Sequence, residues 1–291
     1  MASASEVKQR LTECLRELHL PTFREEFEAL SLRAVQETFS YEQYLGELAE
    51  LECHARRMNR IERWLRDSDL PVEKSLARFD MKRLPTKAAR QVRTLLDGAF
   101  VDARENVLAF GRSGSGKTHL LCAIAQELVR SGRKVLFSPC SLLVQDLLIA
   151  KRDLKLGRYL NRLSKFEVLI IDDLGYVQQN REEMEVLFTL LAERYERGSV
   201  MITSNLPFSK WESIFKDPMT TAAAIDRLVH HSVILELNVS SYRLEHAQRE
   251  HQTQREPPVA ESSPNPEEGR QDTTTRSSQK SRKRGEMRPE L

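Results

Sequence analysis

The sequence predicts an α/β protein: a mainly parallel sheet with helices on both faces, preceded by a small all-α domain and followed by a disordered tail. Three observations carry this. Short apolar runs alternate with helical spacing from residue 106 to residue 237, whereas residues 5 to 66 show helical spacing alone. Residues 251 to 291 hold five of the eleven prolines and only Val259, Ala260, Met287 and Leu291 as hydrophobic residues, too few to offset chain entropy. The expected domains are therefore 1–70, 71–250 and 251–291.

In the first domain Val7, Leu11, Leu15 and Leu18 share one helical face before Pro21 interrupts. A second helix carries Phe23, Phe27 and Leu30. Tyr41, Tyr44, Leu48, Leu51, Ala55, Met58, Ile61 and Leu65 then form the narrow seam of a long third helix, which requires a partner. Arg56, Arg60 and Arg63 lie on one side of that helix. They fit either a solvated face or contact with a DNA backbone, with Glu52, Glu62 and Asp67 diluting the charge. Residues 67 to 86, with Pro71 and Pro85, read as the connection to the second domain.

Asn106 to Phe110 reads as a buried strand and His119 to Val129 as a helix through Leu120, Ile124 and Leu128. Between them stand Gly111, Arg112, Ser113, Gly114, Ser115, Gly116, Lys117 and Thr118, which match the phosphate-binding pattern G-x-x-x-x-G-K-[ST] at every fixed position. Glycines let the backbone turn its N–H groups toward a phosphate, and the helix start adds the positive end of its dipole. Lys117 would reach the β- and γ-phosphates of a nucleotide, and Thr118 would hold Mg²⁺.

Lys134 to Ser138 is a second strand, followed by a helix through Leu142, Leu143, Leu147 and Leu148. Val168 to Ile171 is a strand buried on both faces that delivers Asp172 and Asp173 to its end, beside the glycine loop if the two strands are adjacent. Paired acids there are costly without a cation or donors. Asp172 suits the Mg²⁺ shell and Asp173 the activation of water. Asp172 to Gly175 also spells D-x-x-G, but no N-K-x-D guanine-reading motif follows.

Between these strands, residues 151 to 165 hold Lys151, Arg152, Lys155, Arg158, Arg162 and Lys165 against the single acid Asp153. Leu154, Tyr159, Leu160 and Leu163 would hold the stretch down as a short helix with its bases outward, suited to a nucleic-acid backbone or to plain solvation. Met184, Leu187, Leu191 and Tyr195 make the next helix amphipathic. Ser199 to Asn205 forms a further strand, and Asn205 at its end suits either the γ-phosphate or a turn into Pro207. Helical residues from Thr221 lead to a last strand, Ser232 to Leu237. His230 and His231 before it show no third ligand and read as structural or surface groups.

Composition narrows the function. With 291 residues, 40% hydrophobic and 30% charged, and a formal charge of +2, the chain can bury one sizeable core and a smaller one. No apolar run approaches the roughly 20 residues of a membrane span and no signal-peptide core is evident, so a cytoplasmic protein is expected. Cys14, Cys53, Cys122 and Cys140 form no C-x-x-C pair and read as small buried thiols. Lys280 to Arg284 would either dock on nucleic acid or solubilise the tail.

Taken together, Gly111 to Thr118, Asp172, Asp173, Asn205 and Arg227 resemble the AAA+ ATPases, in the branch that holds DnaC helicase loaders and IstB transposition helpers. The runs Glu185 to Arg197, Ile202 to Asn205 and Ala224 to His231 resemble the IstB-like family most closely, and the likeness covers roughly residues 75 to 245. It implies an AAA+ parallel sheet, Asn205 as sensor, Arg227 as an arginine finger in a neighbouring subunit's site, and Arg243 as a second sensing arginine. It also implies that residues 151 to 165 match a helical insertion that grips DNA. One departure is Asp173, where most AAA+ proteins have Glu. The implied activity is ATP-dependent self-assembly on duplex DNA that serves a transposase, in the cytoplasm or nucleoid of a bacterium. A helicase loader, a scaffold in which nucleotide is structural, and a small-molecule kinase are the alternatives.

Overall fold

The computed structural model describes residues 3–175, 181–211, 218–239 and 241–242. The expectations for Arg243 and for the tail, residues 251–291, lie outside the described residues.

Three helices open the chain. Helix α1 (Ala4–Glu17) starts at a capping box formed by Ser3 and Glu6, and α3 (Tyr41–Asp67) at another formed by Ser40 and Gln43. Helix α2 (Pro21–Gln36) has no side-chain cap of its own. Instead Glu52 of α3 accepts the N–H groups of Thr22 and Phe23 at 2.9 and 3.4 Å, satisfying donors that a helix start leaves open. This moves the seam of α3. Leu48 is buried, and the Tyr44 hydroxyl donates to the Phe27 carbonyl at 3.0 Å, as the spacing predicts. Glu52, however, is buried where Leu51 was expected, and Leu51 and Met58 are exposed.

After α3 the chain makes two single 3₁₀ turns, Leu76–Arg78 and Met81–Arg83, and enters α4 (Thr86–Leu96) and the short α5 (Ala99–Asp102). The connection is pinned rather than free. The Phe137 N–H donates to the Ser68 carbonyl at 2.8 Å, and Gln126 Nε2 to the Pro71 carbonyl at 2.9 Å.

The remaining elements alternate: β1 (Asn106–Phe110), α6 (Lys117–Arg130), β2 (Val135–Pro139), α7 (Cys140–Arg152), α8 (Leu156–Leu163), β3 (Val168–Leu174), α9 (Arg181–Arg194), β4 (Ser199–Ser204), α10 (Pro218–Val229) and β5 (Ser232–Glu236). The sheet is parallel throughout, in the order β2-β3-β4-β1-β5. Alternate residues of a strand feed opposite layers. Val107 and Ala109 pack with α4 and α6, while Leu108 packs with α7 and α9. Both faces are therefore covered, as expected of parallel strands with helical crossovers. Strands β1 and β3 are not adjacent, because β4 lies between them.

Two sequence expectations change. Residues 151–165 are a hairpin rather than one helix: Lys151 and Arg152 close α7, and Leu154 sits at the turn with φ 57°. Leu154 is 95% exposed and holds nothing down; the anchors are buried Leu163 and half-buried Leu156, Tyr159 and Leu160. The Tyr159 hydroxyl, pushed up to about 12 by burial, donates to Asp146 of α7 at 3.1 Å. Of the four free cysteines only Cys122 and Cys140 are buried, while Cys14 and Cys53 are exposed. Burial pushes the Cys122 thiol up to about 12, so it stays protonated.

Arg194, at the end of α9, is buried without a carboxylate. Its guanidinium donates to the carbonyls of Leu163, Phe166, Glu167 and Ser199 at 3.0 to 3.2 Å, and burial lowers its pKa to about 10. It ties the end of α8 to the starts of β3 and β4. Arg194→Ala should cost about 3 kcal/mol of unfolding free energy, because several buried acceptors lose their donor at once. Urea unfolding checks this, and a loss below about 0.5 kcal/mol would contradict it.

Candidate nucleotide site

The glycine loop follows β1 and ends on α6. Gly116, at φ 90°, is the residue before the helix, and a Cβ there would come within 3.3 Å of Phe79. A Cβ on Gly111 would lie 2.5 Å from the Leu237 carbonyl oxygen. Only glycine fits the second position, and the first also needs a left-handed backbone. The connection before α4 and the chain after β5 therefore close on the loop from two sides. Tyr242 N–H donates to the Gly114 carbonyl at 3.0 Å, and Arg83 lies over the Tyr242 ring at 5.3 Å. His119 Nε2 is 3.0 Å from the Ser75 carbonyl, and its ring meets Phe79 edge to face.

Lys117 is only 5% exposed, and its ammonium donates to the Gly111 and Arg112 carbonyls at 2.9 and 3.0 Å. The Thr118 hydroxyl donates to Asp172 Oδ1 at 2.8 Å, which joins the loop to the end of β3 across the intervening β4. At that point β3 bulges. Ile171 pairs with Ile202 and Leu174 with Ser204, so Asp172 and Asp173 together face Thr203. Asp173 takes φ 61°, unusual for a residue with a side chain, and is exposed, whereas Asp172 is buried. The bulge turns two consecutive acids in different directions.

Thr203 holds that arrangement together. Its buried hydroxyl donates to Asp172 Oδ1 at 2.7 Å and accepts the Asp173 N–H at 2.8 Å. Sequence reasoning placed Thr203 in a strand and gave it no role. The missing signal is its position opposite the bulge, which depends on β4 lying between β3 and β1. Thr203→Val keeps the shape and removes both bonds. Its hydrolysis should fall about 10²-fold with ATP binding retained, since misplacing a reacting group by about 1 Å has that effect. Single-turnover assays check this, and Thr203→Ser should restore the rate.

The remaining candidates are spread out. Asn205 follows β4 in a bend, with its Oδ1 buried and lacking a partner; Ser115 Oγ, inside the loop, is likewise buried without one. Arg227, on α10, stacks over the Phe188 ring of α9 at 4.7 Å, and its Nη1 is buried with no acceptor. No hydrogen bond among the described residues links Arg227 to the loop or to the two acids. Glu196 approaches His230 and His231, which sequence alone did not show; all three are exposed, and the Tyr195 hydroxyl partners His230 Nδ1 at 3.1 Å.

The arginine-rich segments divide by partner. Arg56 is bound to Glu52 and the His19 carbonyl, Lys151 to Glu185 at 2.9 Å and Lys155 to Asp153 at 3.1 Å. Arg60, Arg63, Arg152, Arg158, Arg162 and Lys165 have no carboxylate within 4 Å among the described residues.

The loop geometry fits a polyphosphate: glycine positions that a side chain would fill, orphan hydroxyl and amide oxygens, and a buried ammonium at a helix start. The hydroxyl of Thr118 on the carboxylate of Asp172 is a hard oxygen pair suited to Mg²⁺. Sheet, loop and paired acids together define a P-loop nucleotide-binding protein of the AAA+ type. Residues 13–250 match the model of the IstB-like ATP-binding proteins, and the chain belongs to that family. It is 42% identical to an insertion-sequence ATP-binding protein of Sinorhizobium fredii over 80% of this chain and 79% of that one. Over 75% of this chain and 82% of the relative it is 39% identical to the IS21 ATP-binding protein of Pseudomonas aeruginosa. Identity to the IS5376 counterpart in Geobacillus stearothermophilus is 35%, over 86% of this chain and all of that one. Among solved structures, a DNA replication initiation factor is similar at TM-score 0.51 and 17% identity, covering 64% of this chain and 56% of its own. AMPPCP-bound DnaA from Aquifex aeolicus is similar at TM-score 0.50 and 16% identity, with the same shares covered. These two likenesses bear on the fold. Among the described residues no helix is long and apolar enough to cross a membrane.

Proposed function

We propose that this protein hydrolyses ATP while assembled on duplex DNA and that the assembly serves the transposase of an insertion sequence. The observation that carries the hydrolytic part is the bulge at Asp172 and Asp173 with Thr203 across it. It places a buried carboxylate on the loop threonine and an exposed one beside it, the division of labour needed between a metal ligand and a base for water. Lys117 and the loop N–H groups bind and orient the phosphates. Thr118 and Asp172 hold Mg²⁺, which when bound neutralises developing charge on the phosphates. Asp173 orients water and accepts its proton at a carboxylate oxygen, while Asn205, with its open Oδ1, positions that water. Arg227 acts on the site of a neighbouring subunit, and Arg243 takes part in sensing the nucleotide.

The DNA part is supported by the unpaired bases Arg152, Arg158, Arg162 and Lys165 on the α7–α8 hairpin, by Arg60 and Arg63 on α3, and by Lys151, Lys155 and Arg56 beside them. The transposase part is supported by the insertion-sequence names of the relatives. Hydrolysis measured with and without duplex DNA, in the wild type and in Asp173→Asn, tests the reading. DNA-stimulated turnover that requires Asp173 supports it; turnover that is absent under all conditions indicates a scaffold instead. Replacing Lys155 and Arg158 with Ala should weaken duplex binding and reduce the slope of log affinity against log salt by about 2. An unchanged slope would remove the hairpin from the interface.

A further inference from the structure

Where α3 meets the edge of the sheet, a cleft of about 200 Å³ is lined by Trp64, Asp67, Lys134, Arg162, Lys165 and Phe166. Its cations come from two separate parts of the chain: Arg162 and Lys165 from the end of α8 and just after it, and Lys134 from just before β2. Arg60 of α3 joins them, with its guanidinium 5.9 Å from the Trp64 ring, and Lys134 Nζ is 5.5 Å from the same ring. We infer that this cleft seats the sugar–phosphate backbone of the bound duplex DNA and makes one continuous track of the basic faces of α3 and α8. The inference rests on the DNA reading above and adds a particular site, with Lys134 and Trp64 as members that sequence did not suggest.

Charge is the first support. Arg60, Lys134, Arg162 and Lys165 stand against Asp67 and against Glu167, which accepts the Lys134 backbone N–H at 3.1 Å, and none of the four charged groups has a carboxylate within 4 Å among the described residues. Neighbouring Arg133 shows the contrast, since it is tied to Asp102 at 2.6 Å and to Glu167 at 3.0 Å. Like charges gathered without counter-charges repel, and an anion between them relieves the repulsion. Size is the second. Pockets for whole small-molecule ligands run to about 300–1,000 Å³, so this cleft suits a phosphate with part of its sugar. Arg158, about one helical turn before Arg162 on α8, extends the charge beyond the cleft, which fits an anion with repeated charges rather than a single one.

Rigidity is the third support. The end of α3 is fastened to β2 by the bond from Phe137 N–H to the Ser68 carbonyl, and Ser68 is fully buried. The end of α8 is fastened through Arg194 to the Leu163 carbonyl. The two walls are thus held before any DNA arrives, and a preformed site loses less freedom on binding.

The chain has two tryptophans, and Trp211 is fully buried, so Trp64 can report on the cleft once Trp211→Phe removes the other signal. Full-length protein is titrated with duplex DNA at several salt concentrations, reading anisotropy of labelled DNA and Trp64 emission together. The expected result is a change in Trp64 emission that saturates with binding. Lys134→Ala with Lys165→Ala should weaken binding about tenfold near 0.1 M salt and lower the salt slope by about 2. Both side chains are exposed, so neither substitution removes core packing. Wild-type binding that leaves Trp64 emission unchanged and is untouched by the double substitution overturns the cleft alone. No duplex binding by the wild type overturns the DNA reading and the cleft with it.

Discussion

Arg227→Ala is expected to bind ATP as the wild type does and to lose most of its assembly-dependent turnover. An arginine supplied to a neighbouring site contributes about 10³ to 10⁵ in rate, because its guanidinium stabilises charge that develops only in the transition state. The geometry favours a role away from its own loop. Arg227 lies over Phe188, and its buried Nη1 has no acceptor among the described residues. A cation–π contact of about 0.5–2 kcal/mol holds the side chain without satisfying its donors. An external anion would satisfy them. Phosphate release measured at rising protein concentration on duplex DNA checks this, with Arg227→Lys separating charge from planar geometry. Wild-type turnover in Arg227→Ala would end the assignment.

Lys117→Ala should weaken ATP binding by about 100-fold or more. Hydrogen bonds made by a charged group are worth about 1.5–3 kcal/mol each, and the loss of one such bond together with the site's fixed positive charge gives roughly 3 kcal/mol. Lys117 also donates to the Gly111 and Arg112 carbonyls, so its loss loosens the loop as well as removing the charge. Lys117→Met retains the length of the side chain and separates the two effects. Binding of a fluorescent ATP analogue reads the result, and undiminished affinity in Lys117→Ala would refute the role of the loop.

Much of the fold was legible because its signals are local. Four of the five strands appear within a residue of their apolar runs, β3 continues three residues past its run to Leu174, and the long helix of residues 41–67 follows its three-and-four spacing. Errors arose where a distant group overrode local pattern. Glu52 took the buried place of Leu51 because the start of α2 needed an acceptor. Leu154 became exposed because the basic stretch turns back on itself there. The connection at residues 67–86 contained no periodicity to read, yet it brings Phe79 and Ser75 against the glycine loop and its helix.

The sequence by itself determined the chemistry of the glycine loop, since eight consecutive residues carry both its backbone requirements and its ammonium. It also determined that two acids would end a buried strand. Only the tertiary structure decided how these parts meet. Strand β4 lies between β1 and β3, so Thr118 reaches Asp172 across it, and Thr203 of that middle strand fastens Asp172 and sets the turn of Asp173. Strand order depends on the packing of all four crossovers together, and no local spacing records it. The same holds for the cleft at Trp64, whose cations lie as many as 105 positions apart in the chain, from Arg60 to Lys165, and become neighbours only when α3 closes the edge of the sheet.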